Sequence, residues 1–208
     1  SQYGVFEKEE MKRLGLTAAS YKLTARASSG RGVYSFCMCP GGYIVDASSE
    51  AGRIAVNGMS EHARDSGRAN SAIVCTVGSE EFGGTHPLQG MLFQQELEEK
   101  AFRLGNGSVP VQRYQTLRDR FLQTEKSGES ADRAPSDGAA DEYLKAQDLC
   151  IRGKWSEADL SDLLPRALTR DFIEGMEYFD RKIEGFAGPE AFCAGLETRT
   201  SSPVRIPR

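Results

Sequence analysis

The sequence predicts an α+β fold in which an antiparallel sheet, curved or closed toward a barrel, carries an inserted helical subdomain. Residues 20–78 consist of short β-prone runs separated by glycine and proline, and residues 190–206 return to that character. Between them, residues 86–184 place apolar side chains three or four positions apart, which is typical of amphipathic helices. We therefore expect one sheet or barrel whose two parts are separated in sequence by helices.

The first third of the chain contains five candidate strands. The run YKLTARAS (21–28) alternates apolar and polar side chains, as a strand buried on one face does. The run GVYSFCMC (32–39) is ended by Pro40, Gly41 and Gly42, because proline fixes φ and glycine permits a positive φ. The remaining runs are YIVDAS (43–48), RIAVNG (53–58) and SAIVCTV (71–77). Together they predict a meander of short antiparallel strands.

The middle of the chain contains the helical patterns. In residues 86–105, Pro87 suits a first helical position and Gly105 suits a C-terminal stop. The strongest helix is predicted within residues 165–186, where one face is apolar. That face consists of Leu168, Phe172, Met176, Phe179 and Ile183.

Two shorter helices are predicted at 111–123 and at 155–165, where Ser156 is the expected N-cap. Residues 124–143 offer little to bury, which predicts a flexible loop. A strand within 191–206 needs a partner, and the N-terminal meander is the available one. The predicted division is a β domain formed by residues 1–84 and 186–208, and a helical insert formed by residues 85–185.

Composition places the chain among ordinary globular proteins. Of its 208 residues, 39% are hydrophobic and 27% are charged, which is enough to bury a core. The net charge of −4 provides no general attraction to nucleic acid or to anionic membranes, so neither is expected as a partner. No apolar stretch approaches the roughly 20 residues of a membrane-spanning helix. Five irregularly spaced cysteines indicate free thiols in a reducing compartment, and we expect a cytoplasmic protein.

The Cys37-Met38-Cys39 motif stands beside the Pro-Gly-Gly turn. Residues two apart share a face of a strand, so both thiols are able to line one pocket. A metal site usually needs three or four ligands, and no other cysteine or histidine pair repeats this spacing. A redox dithiol usually has two intervening residues at a helix start. We therefore expect no metal, and simple packing of two small apolar residues is an alternative.

Two polar segments are candidate binding elements. His62, Arg64 and Asp65 lie close together in the loop 57–71 and suit anion binding or proton transfer, unless the loop is merely solvated. The segment ETRTSSPVR (197–205) is rich in hydrogen-bond donors and is extended beside its proline, or else it is a polar edge strand. Neither glycine pair, at 30 and 32 or at 105 and 107, fits the strand–G-x-G-x-x-G–helix fingerprint of a dinucleotide site.

Three stretches resemble a known family. Residues 36–77, from FCMCPGG to AIVCTV, and residues 197–208, ETRTSSPVRIPR, resemble two hallmarks of bacterial proteins described as uncharacterised FAD-dependent dehydrogenases. The run LPRALTRDFIEGMEYFDRKIEGF (164–186) is similar to the helical part of that family. The resemblance covers nearly the whole chain except residues 124–143.

The resemblance implies a three-part flavoprotein. Its FAD-binding Rossmann-like domain is split, and one half carries the G-x-G-x-x-G motif while the other follows the ETRTSSPVRI segment. A barrel-like β domain with a helical insert lies between the halves, and this chain resembles that middle piece. We therefore expect it to be part of a longer protein, with the FAD-binding segments of the same protein as its partners.

The resemblance also implies roles for particular residues. The glycine turn and the returning strand are expected to face the flavin ring, and the loop 57–71 is expected to contact substrate. The expected cofactor-binding residues are Gly41, Gly42, Thr200, Ser201 and Ser202, and the expected substrate-binding residues are Asn57, Ser60 and Asn70. The candidates for catalysis are His62, Arg64, Cys37 and Cys39.

The resulting hypothesis is the substrate-side domain of an FAD-dependent oxidoreductase, in which hydride passes between a small-molecule substrate and the flavin. NAD(P)H is a candidate electron partner. The isolated chain is expected to be inactive and to bind FAD weakly, because the loop that grips the phosphates is absent. The alternative is a stand-alone binding module for an anionic ligand or RNA through Arg199, Arg205 and Arg208. A zinc site at Cys37 and Cys39 is a third reading.

Overall fold

The protein folds into small sheets covered by helices. The structure is a computed structural model, and it describes residues 8–15, 22–84, 86–127 and 149–198. In chain order the elements are α1 (Lys8–Arg13), β1 (Leu23–Arg26), β2 (Gly32–Cys39), β3 (Tyr43–Asp46), β4 (Val56–Met59), β5 (Asn70–Cys75), α2 (Ser79–Phe82), α3 (Gln89–Leu104), β6 (Val109–Arg113), α4 (Tyr114–Ser127), β7 (Ile151–Arg152), β8 (Trp155–Glu157), α5 (Arg166–Asp180) and β9 (Phe192–Ala194).

The predicted α+β class is confirmed. Among the described residues the strands form three three-stranded sheets, in the orders β1-β2-β5, β4-β3-β7 and β8-β6-β9, and no closed barrel. The first sheet is antiparallel, as the period-two pattern of its strands predicts. The other two sheets are mixed, because β7 and β8 pair in parallel with β3 and β6. All five predicted N-terminal strands are present, but they divide between the first two sheets instead of forming one meander.

Three local predictions are wrong, and all of them concern β6. Residues 109–113 form this buried strand, so the predicted helix at 111–123 begins only at Tyr114. The segment 155–165 begins with a strand rather than a helix, and the Ser156 hydroxyl donates to the Gly105 carbonyl at 2.8 Å instead of capping. The returning strand β9 pairs with β6 and not with the N-terminal meander. The errors have one cause: β6 pairs with strands that are distant in sequence, and local sequence patterns do not show such pairing.

The remaining predictions on organisation depend partly on residues outside the described ranges. The predicted flexible segment 124–143 overlaps the end of α4 up to residue 127, and its remainder lies outside the described residues. The second and third sheets both join strands from the two predicted parts, through the β3–β7 and β6–β9 pairs. The division into a β domain and a helical insert stays a prediction.

The main hydrophobic core lies around β6. Val109 and Val111 of this strand are fully buried, and α3 and α4 pack against it. The buried cluster consists of Ile54, Val56, Ala101, Val109, Val111, Leu117, Phe121, Leu149, Leu160, Leu163 and Ile173. Backbone hydrogen bonds from Ile54 to Glu98 and from Val56 to Leu196, both 3.0 Å, join the second sheet to α3 and to the segment after β9.

Helix α5 packs closely on the first sheet. A methyl group at Gly175 would lie 2.5 Å from Val33 Cγ1, so only glycine allows this approach of helix and strand. Two polar contacts hold the same helix face against the β1–β2 turn. The Arg31 Nε donates to Asp171 Oδ2 at 2.7 Å, and the Ser28 hydroxyl donates to Glu174 Oε1 at 2.7 Å. Arg31 also pairs with Glu81 of α2.

The substitution Gly175→Ala tests this close approach. We expect the unfolding free energy to fall by about 1–3 kcal/mol, because the added methyl overpacks the contact with Val33. Adding Val33→Ala removes the opposing methyls, so the two changes should be non-additive in urea unfolding. Gly90→Ala in α3 is the control, since its methyl would meet the Phe82 ring at 3.3 Å, beside a side chain able to shift. Strict additivity at positions 33 and 175 would contradict the interpretation.

The Arg31–Glu81 pair predicts a pH dependence of stability. The hydrogen bond from Arg31 lowers the pKa of Glu81 from its ordinary value of 4.5. A carboxyl with a depressed folded-state pKa stabilises the fold above its unfolded pKa, and that contribution is lost as pH falls through the folded value. We expect urea unfolding from about pH 6 to pH 3 to show a steeper loss for the native chain than for Glu81→Gln. Superimposable pH profiles would rule out a contribution from Glu81.

Candidate functional site

A cavity of about 550 Å³ lies where the three sheets meet helix α5. Its walls come from β2 and the following turn, from β3, β4 and β5, from α5 and the turn after it, and from β9 with its flanking residues. Apolar side chains dominate, among them Ile44, Phe172, Met176 and Phe192. This volume and character are typical of sites that bind small molecules or cofactors.

A β-bulge at the end of β2 shapes one wall. Phe36 pairs with Ala72, but the next pair joins Cys39 to Asn70, so β2 contains one extra residue between these pairs. Cys37, within the bulge, has a φ of +48°, which is uncommon for a residue other than glycine. The bulge turns the segment Cys37–Pro40 along the cavity wall. Bulges of this kind occur frequently beside functional sites.

The Gly41–Gly42 corner is filled by the chain itself. A methyl at Gly41 would collide with the Arg64 carbonyl, and a methyl at Gly42 would lie 2.5 Å from the Met59 carbonyl oxygen and 2.7 Å from Asn70 Nδ2. The glycines therefore allow the segment between β4 and β5, together with the ends of both strands, to close over the turn. Gly42 lines the cavity, whereas Gly41 is not among its lining residues. Direct contact of this corner with a flavin stays a prediction.

The structure divides the predicted loop residues into two groups. Asn57 and Asn70 line the cavity together with both predicted thiols. Ser60, His62 and Arg64 are exposed and are not among the lining residues. The predicted Thr200, Ser201 and Ser202, and the arginines at 199, 205 and 208, lie outside the described residues. The roles proposed for these residues stay predictions.

Asn70 carries a buried donor. Its Nδ2 atom is inaccessible to solvent and has no hydrogen-bond acceptor among the described residues. A buried amide without an acceptor is costly, by about 1–3 kcal/mol, unless another molecule supplies one. Asn70 is among the lining residues, so a rotation of its side chain would present this donor to a carbonyl or ring-nitrogen acceptor on a bound molecule.

Four of the five cysteines line this cavity, namely Cys37, Cys39, Cys150 and Cys193. Burial raises the pKa of the Cys193 thiol to about 12, so this thiol is a poor nucleophile. Cys37 is exposed. Across the described ranges, no group of three or more histidine, cysteine or acidic side chains is arranged to hold a metal ion.

Several cavity residues were not predicted from the sequence. Phe192 forms a wall against which Arg113 and Arg68 lie, with the guanidinium carbons 4.8 and 5.9 Å from the ring centroid. Arg68 also donates to the Glu190 carbonyl at 3.3 Å. Glu197 lines the cavity, and burial raises its pKa. In the sequence, Glu197 is distinguished only by its position at the head of the ETRTSS motif. The hydroxyl residues of that motif were predicted as site residues instead.

Comparison with known proteins now identifies the family. Residues 1–200 match the family described as FAD-dependent protein, C-terminal domain-like. The chain belongs to this family. It is also 44% identical over 196 residues to a Clostridium beijerinckii protein described as uncharacterized, and the match covers 93% of this chain and 33% of that protein. The chain thus spans about a third of the length of the curated relative that it matches.

Family membership confirms the coarser part of the resemblance, because it indicates a domain of an FAD-dependent protein. The family description is that of a C-terminal domain, and the middle position inferred from the resemblance stays a prediction. None of the helices in the described part of the chain combines the length and apolar character needed to cross a bilayer.

The cavity residues fit the ring system of a flavin. A flavin ring is planar and carries carbonyl oxygens and ring nitrogens, which match the mostly apolar walls and the unsatisfied Asn70 donor. The sequence contains no G-x-G-x-x-G turn to grip the pyrophosphate. The fit therefore extends to the ring of the cofactor and not to its phosphates.

Thiol modification tests the burial of the cavity cysteines. With iodoacetamide at about pH 8, we expect Cys37 to react first, because its thiol is exposed. Cys193 and Cys75 should stay unmodified, since burial raises the pKa of each to about 12. Mass spectrometry of the peptides reports the order, and in urea all five thiols should react. Fast native modification of Cys193 would show that the cavity wall opens in solution.

Proposed function

We propose that this chain is the substrate-side domain of an FAD-dependent oxidoreductase. The observation that carries the proposal is the cavity of about 550 Å³, with its buried Asn70 amide, in a chain of an FAD-dependent family. In this proposal the cavity receives the flavin ring and the substrate side by side. FAD supplies the acceptor or donor of a hydride when it is bound.

The chain's own residues contribute binding, orientation and exclusion of water. Phe172, Met176 and Phe192 offer apolar surface against a planar ring and displace water from it. On binding, the Asn70 side chain turns so that Nδ2 donates a hydrogen bond to an acceptor on the ring edge and fixes the ring's orientation. Arg68, held against the Glu190 backbone, places a positive charge at the cavity wall. The substrate and the electron partner, NAD(P)H among the candidates, are further parts of the proposal.

The FAD phosphates are held by other segments in this proposal. A phosphate-binding turn places backbone N–H groups at a helix N-terminus behind glycines, and this sequence lacks that fingerprint. The curated relative is about three times as long as the aligned region, so it has room for a nucleotide-binding domain. This chain then forms one wall of a site shared with the rest of the protein.

Substitution of Asn70 in the intact protein tests the proposal. We expect the intact protein to purify with FAD, and Asn70→Leu to weaken FAD binding about 5- to 100-fold, the equivalent of one lost buried hydrogen bond. Gln115→Ala is the control, because it removes an exposed amide on α4 away from the cavity. The readouts are the flavin absorbance per chain and a titration of the apoprotein with FAD. An intact protein that binds no FAD would refute the proposal.

The isolated chain provides a second test. Titration with FAD should show no tight, stoichiometric binding, because the chain lacks the phosphate-gripping loop. Binding of a short RNA should be equally weak. RNA binding that falls steeply with salt would instead favour the stand-alone module that binds through its arginines.

A further inference from the structure

Glu197 occupies an unusual position beside the cavity. It follows β9 and lines the cavity from the same edge as Phe192 and Cys193. Burial alone raises its pKa, and no hydrogen bond or opposite charge from the described residues offsets that burial. A carboxyl group that is partly buried in an apolar site without a partner binds its proton more tightly than one in water.

Other carboxylates that the structure buries or half-buries have partners. Asp171 accepts hydrogen bonds from Arg31 and from the Ser29 hydroxyl. Asp159 pairs with Arg120 at 2.6 Å, and Glu98 accepts a hydrogen bond from Thr198. Each of these groups has a structural role in joining two elements. Glu197 has no comparable structural role within the described residues.

The charged groups around the same cavity leave Glu197 without a counter-charge. Arg68 is directed to Glu190, with its Nη2 3.7 Å from Glu190 Oε2. Glu184 and Glu190, from the turn after α5 and the segment before β9, are themselves acidic. The remaining ionisable groups of the lining are the four thiols named above, and Glu98 of α3 approaches the neighbouring Thr198.

We propose that the Glu197 carboxyl is the group that exchanges a proton when substrate and flavin exchange a hydride. This inference rests on the proposed function. In the oxidative direction the substrate is an H–C–O–H or H–C–N–H group. Its carbon loses a hydride to the flavin, which is the two-electron oxidant, and the O–H or N–H proton passes to the Glu197 carboxylate as the C=O or C=N bond forms. In the reductive direction the protonated carboxyl returns that proton.

This assignment also specifies the substrate class. A hydride leaves readily from carbon when the neighbouring heteroatom loses its proton, so the substrate carries an alcohol or amine on the reacting carbon. A general base performs best when its pKa is close to the working pH, and burial in an apolar site moves a glutamate in that direction. The cavity therefore combines an apolar wall for the ring with one carboxyl for the proton.

Infrared titration of the 208-residue chain tests Glu197 without any flavin. We expect a protonated-carboxyl band whose titration midpoint lies above the ordinary value of 4.5 and which is lost in Glu197→Gln. Glu184→Gln removes an exposed carboxyl of the same cavity without releasing Arg68, and should leave the band intact. Glu197→Asp keeps a titrating carboxyl should the amide variant fold poorly. Absence of the band from the native chain would overturn the inference.

Redox titration of the intact, FAD-loaded protein tests the coupling to the cofactor. Reduction adds negative charge to the flavin, which strengthens proton binding by a nearby carboxylate. Each proton taken up with two electrons adds about 29.6 mV per pH unit to the slope of midpoint potential against pH. The native protein should show a pH range with this steeper slope, which Glu197→Gln should lack and Glu184→Gln should keep. Identical slopes in a protein that binds FAD would overturn the inference and leave the proposed function standing, whereas a failure to bind FAD would refute the proposed function itself.

Discussion

The close approach of helix α5 to strand β2 is the constraint on which the cavity depends. Gly175 brings the helix backbone against Val33, and the Arg31–Asp171 pair fixes the helix along the strand direction. The next face of the same helix presents Phe172 and Met176 to the cavity. Successive side chains on a helix point in directions about 100° apart. One residue of α5 therefore packs against the sheet while the next one along the chain lines the cavity. A shift of α5 would move the cavity wall together with it.

Buried charge serves two different purposes in this fold. The Asp171 side chain is 2% exposed, and it is tolerated because Arg31 and the Ser29 hydroxyl replace the water that it loses. Such buried pairs add little net stability, but they make one arrangement of the elements much better than its neighbours. Glu197 and Asn70 lack that compensation among the described residues. Polar groups that a fold buries without partners are often those reserved for a ligand.

The elements that form from local sequence patterns were predictable. The alternation in residues 21–28 and the glycine turn at residues 40–42 identified the first sheet, and the apolar stripe identified α5. The third sheet was missed because β6 was predicted as the start of a helix and β8 is only three residues long, while the predicted strand β9 pairs with β6, far away in sequence, instead of with the meander. Strands this short have no periodicity of their own, so tertiary contacts decide their conformation.

The candidate site was predictable in composition and not in geometry. Cys37 and Cys39 line the cavity, which their spacing allows, but the bulge that turns them there depends on pairing with β5. Asn57 of β4 and Asn70 of β5 line the cavity while His62 stays exposed, because closure of the intervening segment over Gly42 selects which side chains face inward. Glu197 was not predicted as a site residue, because it is distinguished by its burial, and a single sequence does not show burial.

A cavity of this kind needs little affinity of its own. When the phosphates of a cofactor are held elsewhere in the same protein, its ring meets the cavity at an effective concentration set by the connection between the parts, which reaches the millimolar range for short links. In the proposed function, apolar contact with three side chains and one amide hydrogen bond would then be sufficient for occupancy. Tighter binding of the ground state would lower KM without accelerating the reaction. In the proposed function, weak binding by the isolated chain and a role in the intact protein follow from one arrangement, in which this chain would supply orientation and a proton-binding carboxyl while the rest of the protein would supply affinity.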